Sequence, residues 1–195
     1  VLQMACNQLR GWLDAGIDLK LAVNLSERYL EKNPEKLIHR ILQTTGTDPG
    51  SLQIEISESH MVDYASKIMP HLQALKDLGV DIVVDDFMGR SPLSSFGQTL
   101  ISAVKFDRLF VNKLSHPEEG LPVKQMIDFA LNLGLNVVAK GVETDEQKGI
   151  LNDQSCPQAQ GYLLGRPAPA QDIPQLFEEH KRDKRSKSRK KRPPT

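Results

Sequence analysis

At 195 residues the chain is long enough for one domain with a real core and too short for two comfortable ones. Apolar residues at 39% and charged residues at 26% suit a soluble globular protein and exclude a fibrous or wholly disordered class. The net charge of +0 hides an asymmetry: nine of the 25 basic residues fall in Lys181–Arg192, where Asp183 is the one acid, leaving 16 basic against 24 acidic residues before it.

No run approaches the ~18 apolar residues of a membrane span and no signal peptide opens the chain, so the cytoplasm is the expected compartment. Cys6 and Cys156 lie far apart without a C-x-x-C partner and read as reduced thiols.

Taken in order, Leu2, Ala5, Cys6, Leu9 and Leu13 mark one face of an opening helix that stops at Gly16. Leu19–Leu25 reads as a strand with Asn24 near its end. Asn33-Pro34 reads as an N-cap with Pro at the first helical position, and Leu37, Ile38, Ile41 and Leu42 form that helix's buried stripe. Leu52–Ser57 is the next strand, with Glu55 inside it and Glu58 just beyond. A helix through Ile68, Leu72, Leu75 and Leu78 follows, with Pro70 in its first turn or kinking it.

The β-branched run Asp81–Phe87 carries Asp85 and Asp86 at its end, and Ala103–Asp107 carries Lys105 and Asp107. A helix is expected over Pro122–Leu133, a strand over Asn136–Val142, and a capping box over Thr144–Gln147. A last strand spans Gln158–Leu164, and Ile173, Leu176 and Phe177 belong to a closing helix. Strand and helix thus alternate about six times, the rhythm of parallel βα units in a barrel or open sheet. Residues 1–180 form the domain, and 181–195 read as a basic, disordered tail with a lesser expectation of contact with nucleic acid or an anionic membrane surface.

Asn24, Glu55 and Asp85 each close a different strand, and their oxygens suit hard divalent cations such as Mg²⁺ or Mn²⁺. The five histidines are scattered without a nucleophile motif, and no G-x-G-x-x-G or P-loop occurs.

The segments V-N-L-S at 23–26, I-E-I-S-E-S at 54–59, D-D-F at 85–87, V-K-F-D at 104–107, G-V-E-T at 141–144 and Q-G-Y at 160–162 resemble, in order, the motifs of the EAL domain family of cyclic di-GMP phosphodiesterases and their inactive relatives. The resemblance runs from Val1 to about Phe177. It implies an α/β fold of the TIM-type barrel and a two-metal site, holding Mg²⁺ or Mn²⁺, that cuts cyclic di-GMP to linear pGpG. By the same resemblance Asn24, Glu55 and Asp85 match metal ligands, with Asp86 at the second metal. Lys105 and Asp107 match residues that hold metal and attacking water, Glu143 and Gln160 match further rim positions, and Glu58 matches the acid that anchors the loop after Asp86.

Three departures from the family pattern bear on activity. The E-A-L segment, its following arginine and about two strands of the barrel belong upstream of the first helix, so either the chain is a fragment of a longer protein or the barrel is incomplete, with open edges that invite a partner to cover them. Lys140 stands where the family has a glutamate in A-E-G-V-E-T, and an ammonium has no lone pair for a metal. It is expected to pair with Asp107, Glu143 or Asp86 and so hold an acid-lined rim together without cations. The loop Met88-Gly-Arg-Ser-Pro-Leu93, with Met88 and Arg90 as its substrate-side residues, is one residue shorter than the family pattern and loses its first glycine. In the family this loop couples substrate, metal and dimer contacts, so a partner protein or second copy is expected there.

Three functional classes follow: an inactive domain that binds a partner protein, an active phosphodiesterase completed by residues upstream, and a receptor that binds cyclic di-GMP without cutting it.

Overall fold

The computed structural model describes residues 1–30, 32–91, 100–115 and 117–190. Among these described residues six strands, β1 (Leu21–Asn24), β2 (Leu52–Ser57), β3 (Asp81–Phe87), β4 (Ala103–Phe106), β5 (Asn136–Lys140) and β6 (Gln158–Gln160), lie side by side in sequence order and all pair in parallel. Parallel neighbours need crossovers, and helices supply most of them. Helix α1 (Leu2–Asp14) precedes the sheet, α2 (Glu27–Leu30) and α3 (Pro34–Thr45) follow β1, and α4 (Glu58–Asp63) and α5 (Ala65–Asp77) follow β2. After β4 come α6 (Arg108–Asn112) and α7 (Pro117–Asn132), after β5 comes α8 (Asp145–Asp153), and α9 (Ile173–Lys190) closes the described chain. The result is a curled half-barrel of the TIM type with β1 and β6 as its two edges, the incomplete barrel the motifs imply.

Register sorts the strand residues onto two faces. Ile54, Ile56, Ile82, Val84, Val104, Phe106, Val137 and Ala139 share the face under the helices and are each 0 or 1% exposed. They pack on Ile38, Leu72, Leu75, Ile127 and Ala130. Burying each aliphatic side chain is worth about 1.5–3 kcal/mol, so this layer is the main source of stability. The opposite face carries Asn24, Glu55, Asp85, Lys105, Lys140 and Gln160, placed together because each pairs in register with, or lies two residues from, its neighbour across the sheet.

Several local expectations give way to the fold. Asn33 does sit before Pro34, but at φ 51 it is left-handed and makes no side-chain cap. Leu37 is 44% exposed, because the buried stripe of α3 is Ile38, Ile41 and Leu42. Pro122 lies inside α7 and not at its start, and of the two places expected for Pro70 the first turn is excluded, since it lies inside α5. The last strand ends at Gln160, where the chain turns at Gly161.

Helix α9 runs on to Lys190, through the first ten residues of the stretch expected to be a tail. Lysine and arginine are good helix formers, and Lys181 stacks on Phe177 at 4.3 Å and pairs with Glu178 at 3.5 Å. Pro92 and Leu93 of the loop, His116, and the tail's last residues 191–195 lie outside the described residues. The capping box at Thr144 and Gln147 is present as read.

Candidate functional site

The site lies at the carboxyl ends of the strands, where apolar runs give way to charge. β3 contributes most of it. Its pairing with β4 runs Val83 to Ala103 and Val84 to Val104 but resumes at Phe87 to Phe106, so one extra residue is accommodated at Asp85-Asp86. Side chains alternate along a regular strand and would send these two carboxylates to opposite faces. The bulge, with Asp86 at φ 50, returns the second one. Both now accept from the same ammonium: Lys140 Nζ lies 2.7 Å from Oδ1 of Asp85 and 2.7 Å from Oδ1 of Asp86.

Of the partners expected for Lys140, Asp86 is therefore found, Asp85 takes the second place, and Asp107 and Glu143 are engaged elsewhere. Burial alone would pull the Lys140 ammonium toward neutrality, but the hydrogen bonds and charges of Asp85 and Asp86 outweigh it and hold its pKa above the ordinary value. A second ammonium, Lys105, donates to Glu55 Oε1 at 2.5 Å, with Glu55 5% and Lys105 14% exposed at the side chain.

Glu58, buried at 2%, accepts from the backbone N–H of Met88 at 2.8 Å, the N–H of Ser91 at 2.7 Å and the Ser91 hydroxyl at 3.0 Å. One carboxylate thus ties both ends of a short loop segment to the start of α4. Between those ends Gly89 adopts φ +82, and a Cβ there would meet Met126 Cε at 2.3 Å.

Glu58, Asp86, Met88, Arg90, Asp107 and Leu109 surround an open cleft of about 280 Å³. Asp107 caps α6, accepting from the Leu109 N–H at 2.7 Å. Glu143 pairs with Arg108 at 3.1 Å near the surface. Gln160 pairs in register with Lys140 at the edge strand, and Asn24 is exposed at the other edge, in register with Glu55.

The structure therefore gathers Asp85, Asp86 and Lys140 into one cluster, Glu55 and Lys105 into a second, and Glu58, Met88, Arg90 and Asp107 around the cleft, with Asn24, Glu143 and Gln160 outside those contacts. Sequence reasoning missed Ser91 and Arg108. Each stands beside a residue it did single out, but nothing local distinguishes a serine or arginine that reaches across the rim from one facing water.

These features define a TIM-type α/β domain with a charged rim at the carboxyl ends of its strands. The EAL domain family profile matches residues 1–167, and the chain belongs to that family, the EAL domains of the cyclic di-GMP phosphodiesterases. An uncharacterized signaling protein of Caulobacter vibrioides is 38% identical over 173 residues, covering 87% of this chain and 21% of that protein. The bifunctional diguanylate cyclase/cyclic di-GMP phosphodiesterase MucR of Pseudomonas aeruginosa is 36% identical over 177 residues, covering 89% of this chain and 26% of MucR. The solved PaMucR phosphodiesterase in complex with cyclic di-GMP superposes with a TM-score of 0.82 at 34% identity, over 88% of this chain and 71% of that one. The chain spans well under a third of the length of these two curated relatives. Among the described residues no helix is long and apolar enough to cross a membrane.

The family depends on divalent metal. The donor set here does not fit it well, because Oδ1 of Asp85 and Oδ1 of Asp86 both accept from the Lys140 ammonium. Among the described residues no three His, Cys, Asp or Glu side chains are grouped as a metal site. What the arrangement provides is a rim of paired opposite charges beside a cleft whose loop is firmly anchored.

Proposed function

We propose that this chain is a degenerate EAL domain that acts in cyclic di-GMP signalling by binding a protein partner or the nucleotide rather than by hydrolysis. The observation that carries the reading is the Lys140 ammonium held by both Asp85 and Asp86. Metal-assisted phosphodiester cleavage needs carboxylate lone pairs free for cations that polarise the phosphoryl group and generate hydroxide. In this rim the lone pairs of Asp85 and Asp86 that face Lys140 are already spent on its ammonium group.

Binding has structural support of its own. Glu58 holds the loop at Met88 and Ser91, and Arg90 stands at the cleft, where its guanidinium suits a phosphate. The test is incubation with cyclic di-GMP and Mg²⁺ or Mn²⁺, followed by chromatography. No pGpG is expected, and clear turnover overturns the reading. A titration with the dinucleotide then separates a nucleotide receptor from a protein-binding scaffold. The loop after Asp86 is the expected place for a partner or second copy.

A second reading, an active phosphodiesterase within a longer polypeptide, is favoured by the retained carboxylates and by the Glu58 anchor. In that case the same assay on a longer polypeptide gives pGpG where this chain gives none.

A further inference from the structure

We infer that Lys140 is a resident cation, tethered from β5 between Asp85 and Asp86, which makes the assembly of this rim independent of divalent metal. The inference rests on the non-hydrolytic reading for its context, but its geometry stands apart from it. Two adjacent carboxylates brought to one point repel each other and need a cation to hold them. The fold goes out of its way to bring them there, with a bulge in β3 and a left-handed aspartate.

That conformation is sparsely used by residues other than glycine, though aspartate tolerates it better than most. It is kept because both carboxylates are hydrogen-bonded at its end. Lys140 supplies the charge from 54 and 55 residues away in sequence, through a strand that does not neighbour β3. Its ammonium donates to Oδ1 of each aspartate, and a divalent ion seeking those same oxygens must first displace it. The ammonium offers donors only, so it cannot be recruited as a ligand once displaced.

The cluster is therefore closed by a covalently attached charge whose presence does not vary with the metal concentration. A glutamate at this position would have the opposite effect. Three carboxylates without a cation would repel, and the rim would be completed only by an ion.

The experiment is thermal unfolding of the full chain in chelator and in Mn²⁺, with Mn²⁺ binding measured by calorimetry, for the wild type, Lys140→Glu, Lys140→Met and Lys140→Arg. The wild type is expected to unfold at the same temperature in both media and to show no binding heat at micromolar Mn²⁺. Lys140→Glu and Lys140→Met should unfold about 5 °C or more lower in chelator and recover in Mn²⁺. Lys140→Glu should bind Mn²⁺ at least about tenfold more tightly than the wild type. Lys140→Arg keeps the charge and should remain insensitive to metal.

Wild-type stabilisation by Mn²⁺, or equal Mn²⁺ affinity with lysine and glutamate at this position, overturns the inference. Should the variants fail to fold, micromolar Mn²⁺ binding by the wild type overturns it and the lack of such binding supports it. Turnover of cyclic di-GMP by a wild type that unfolds alike in chelator and Mn²⁺ would remove the non-hydrolytic reading alone, while a metal-responsive wild type without turnover would remove this inference alone.

Discussion

Lys105 on β4 reaches over the intervening strand β3 to hold Glu55 on β2, so that the two side chains bridge three strands on the site face of the sheet. Both are largely withdrawn from water, with Glu55 5% and Lys105 14% exposed at the side chain. A buried pair of this kind is poor evidence of net stabilisation, but breaking it from one side is costly because the remaining charge loses its partner. Lys105→Met is expected to destabilise the fold by about 3–5 kcal/mol in denaturant titration. Combining it with Glu55→Leu should return stability to within about 1 kcal/mol of the wild type. A double variant as unstable as the single one would mean that the pair does more than neutralise itself.

Glu58 holds the loop through three donors, and two of them are backbone groups. Glu58→Ala strands these donors and is expected to cost about 2–3 kcal/mol. Limited proteolysis should show faster cutting after Met88. Glu58→Gln retains one acceptor oxygen and should fall between the two, so identical digestion of all three proteins would contradict the anchoring role.

Asp81 stands at the opposite end of β3 and accepts from Lys20 at 2.7 Å and from the Ser102 hydroxyl at 2.8 Å, with Lys76 3.6 Å away. Burial pushes its pKa up, but the Lys20 and Ser102 hydrogen bonds and the lysine charges outweigh burial and leave it below the ordinary value. A carboxylate depressed in the folded state stabilises it fully above the unfolded pKa, about 3.9, and the gain is lost as pH falls through the lower folded value. Asp81→Asn should therefore destabilise the protein at neutral pH and unfold with a shallower dependence on acid below about pH 4. Parallel stability curves for the two proteins across that range would refute this.

Two glycines should respond to alanine with opposite sign. A Cβ on Gly161 would lie 2.1 Å from the carbonyl oxygen and 2.4 Å from the nitrogen of Val142, both backbone atoms that cannot move aside cheaply. Gly161→Ala is expected to cost about 2 kcal/mol or more and to loosen the end of β6 in hydrogen exchange. Gly149 lies within α8 with nothing near its would-be Cβ, so Gly149→Ala should stabilise by about 0.5–1 kcal/mol.

The order of the strands, their parallel sense and the position of charge at their ends were legible because they are local properties. Ile82-Val83-Val84 can only be a buried strand, and Asp85 must then stand where that strand leaves the core. The Thr144 capping box was legible for the same reason, since its partners lie within one turn. Leu37 was misplaced because a helical stripe predicts which face is apolar without saying what covers its margin, and on α3 that margin lines an open groove beside β1. Charge density alone does not stop a helix that begins on the body of the domain and is rich in strong helix formers, so α9 runs on to Lys190.

The rim divides in the same way. Sequence by itself set acids at the ends of the strands and gave Lys140 Asp86, Asp107 or Glu143 as its expected partners. Tertiary structure alone decided which acids that lysine would hold. The choice of Asp85 with Asp86, over Asp107 or Glu143, follows from a one-residue bulge in β3 and a positive φ at Asp86. A register shift between strands leaves no local mark in the sequence, because it is fixed by how β3 and β4 pack together and not by the preferences of either one.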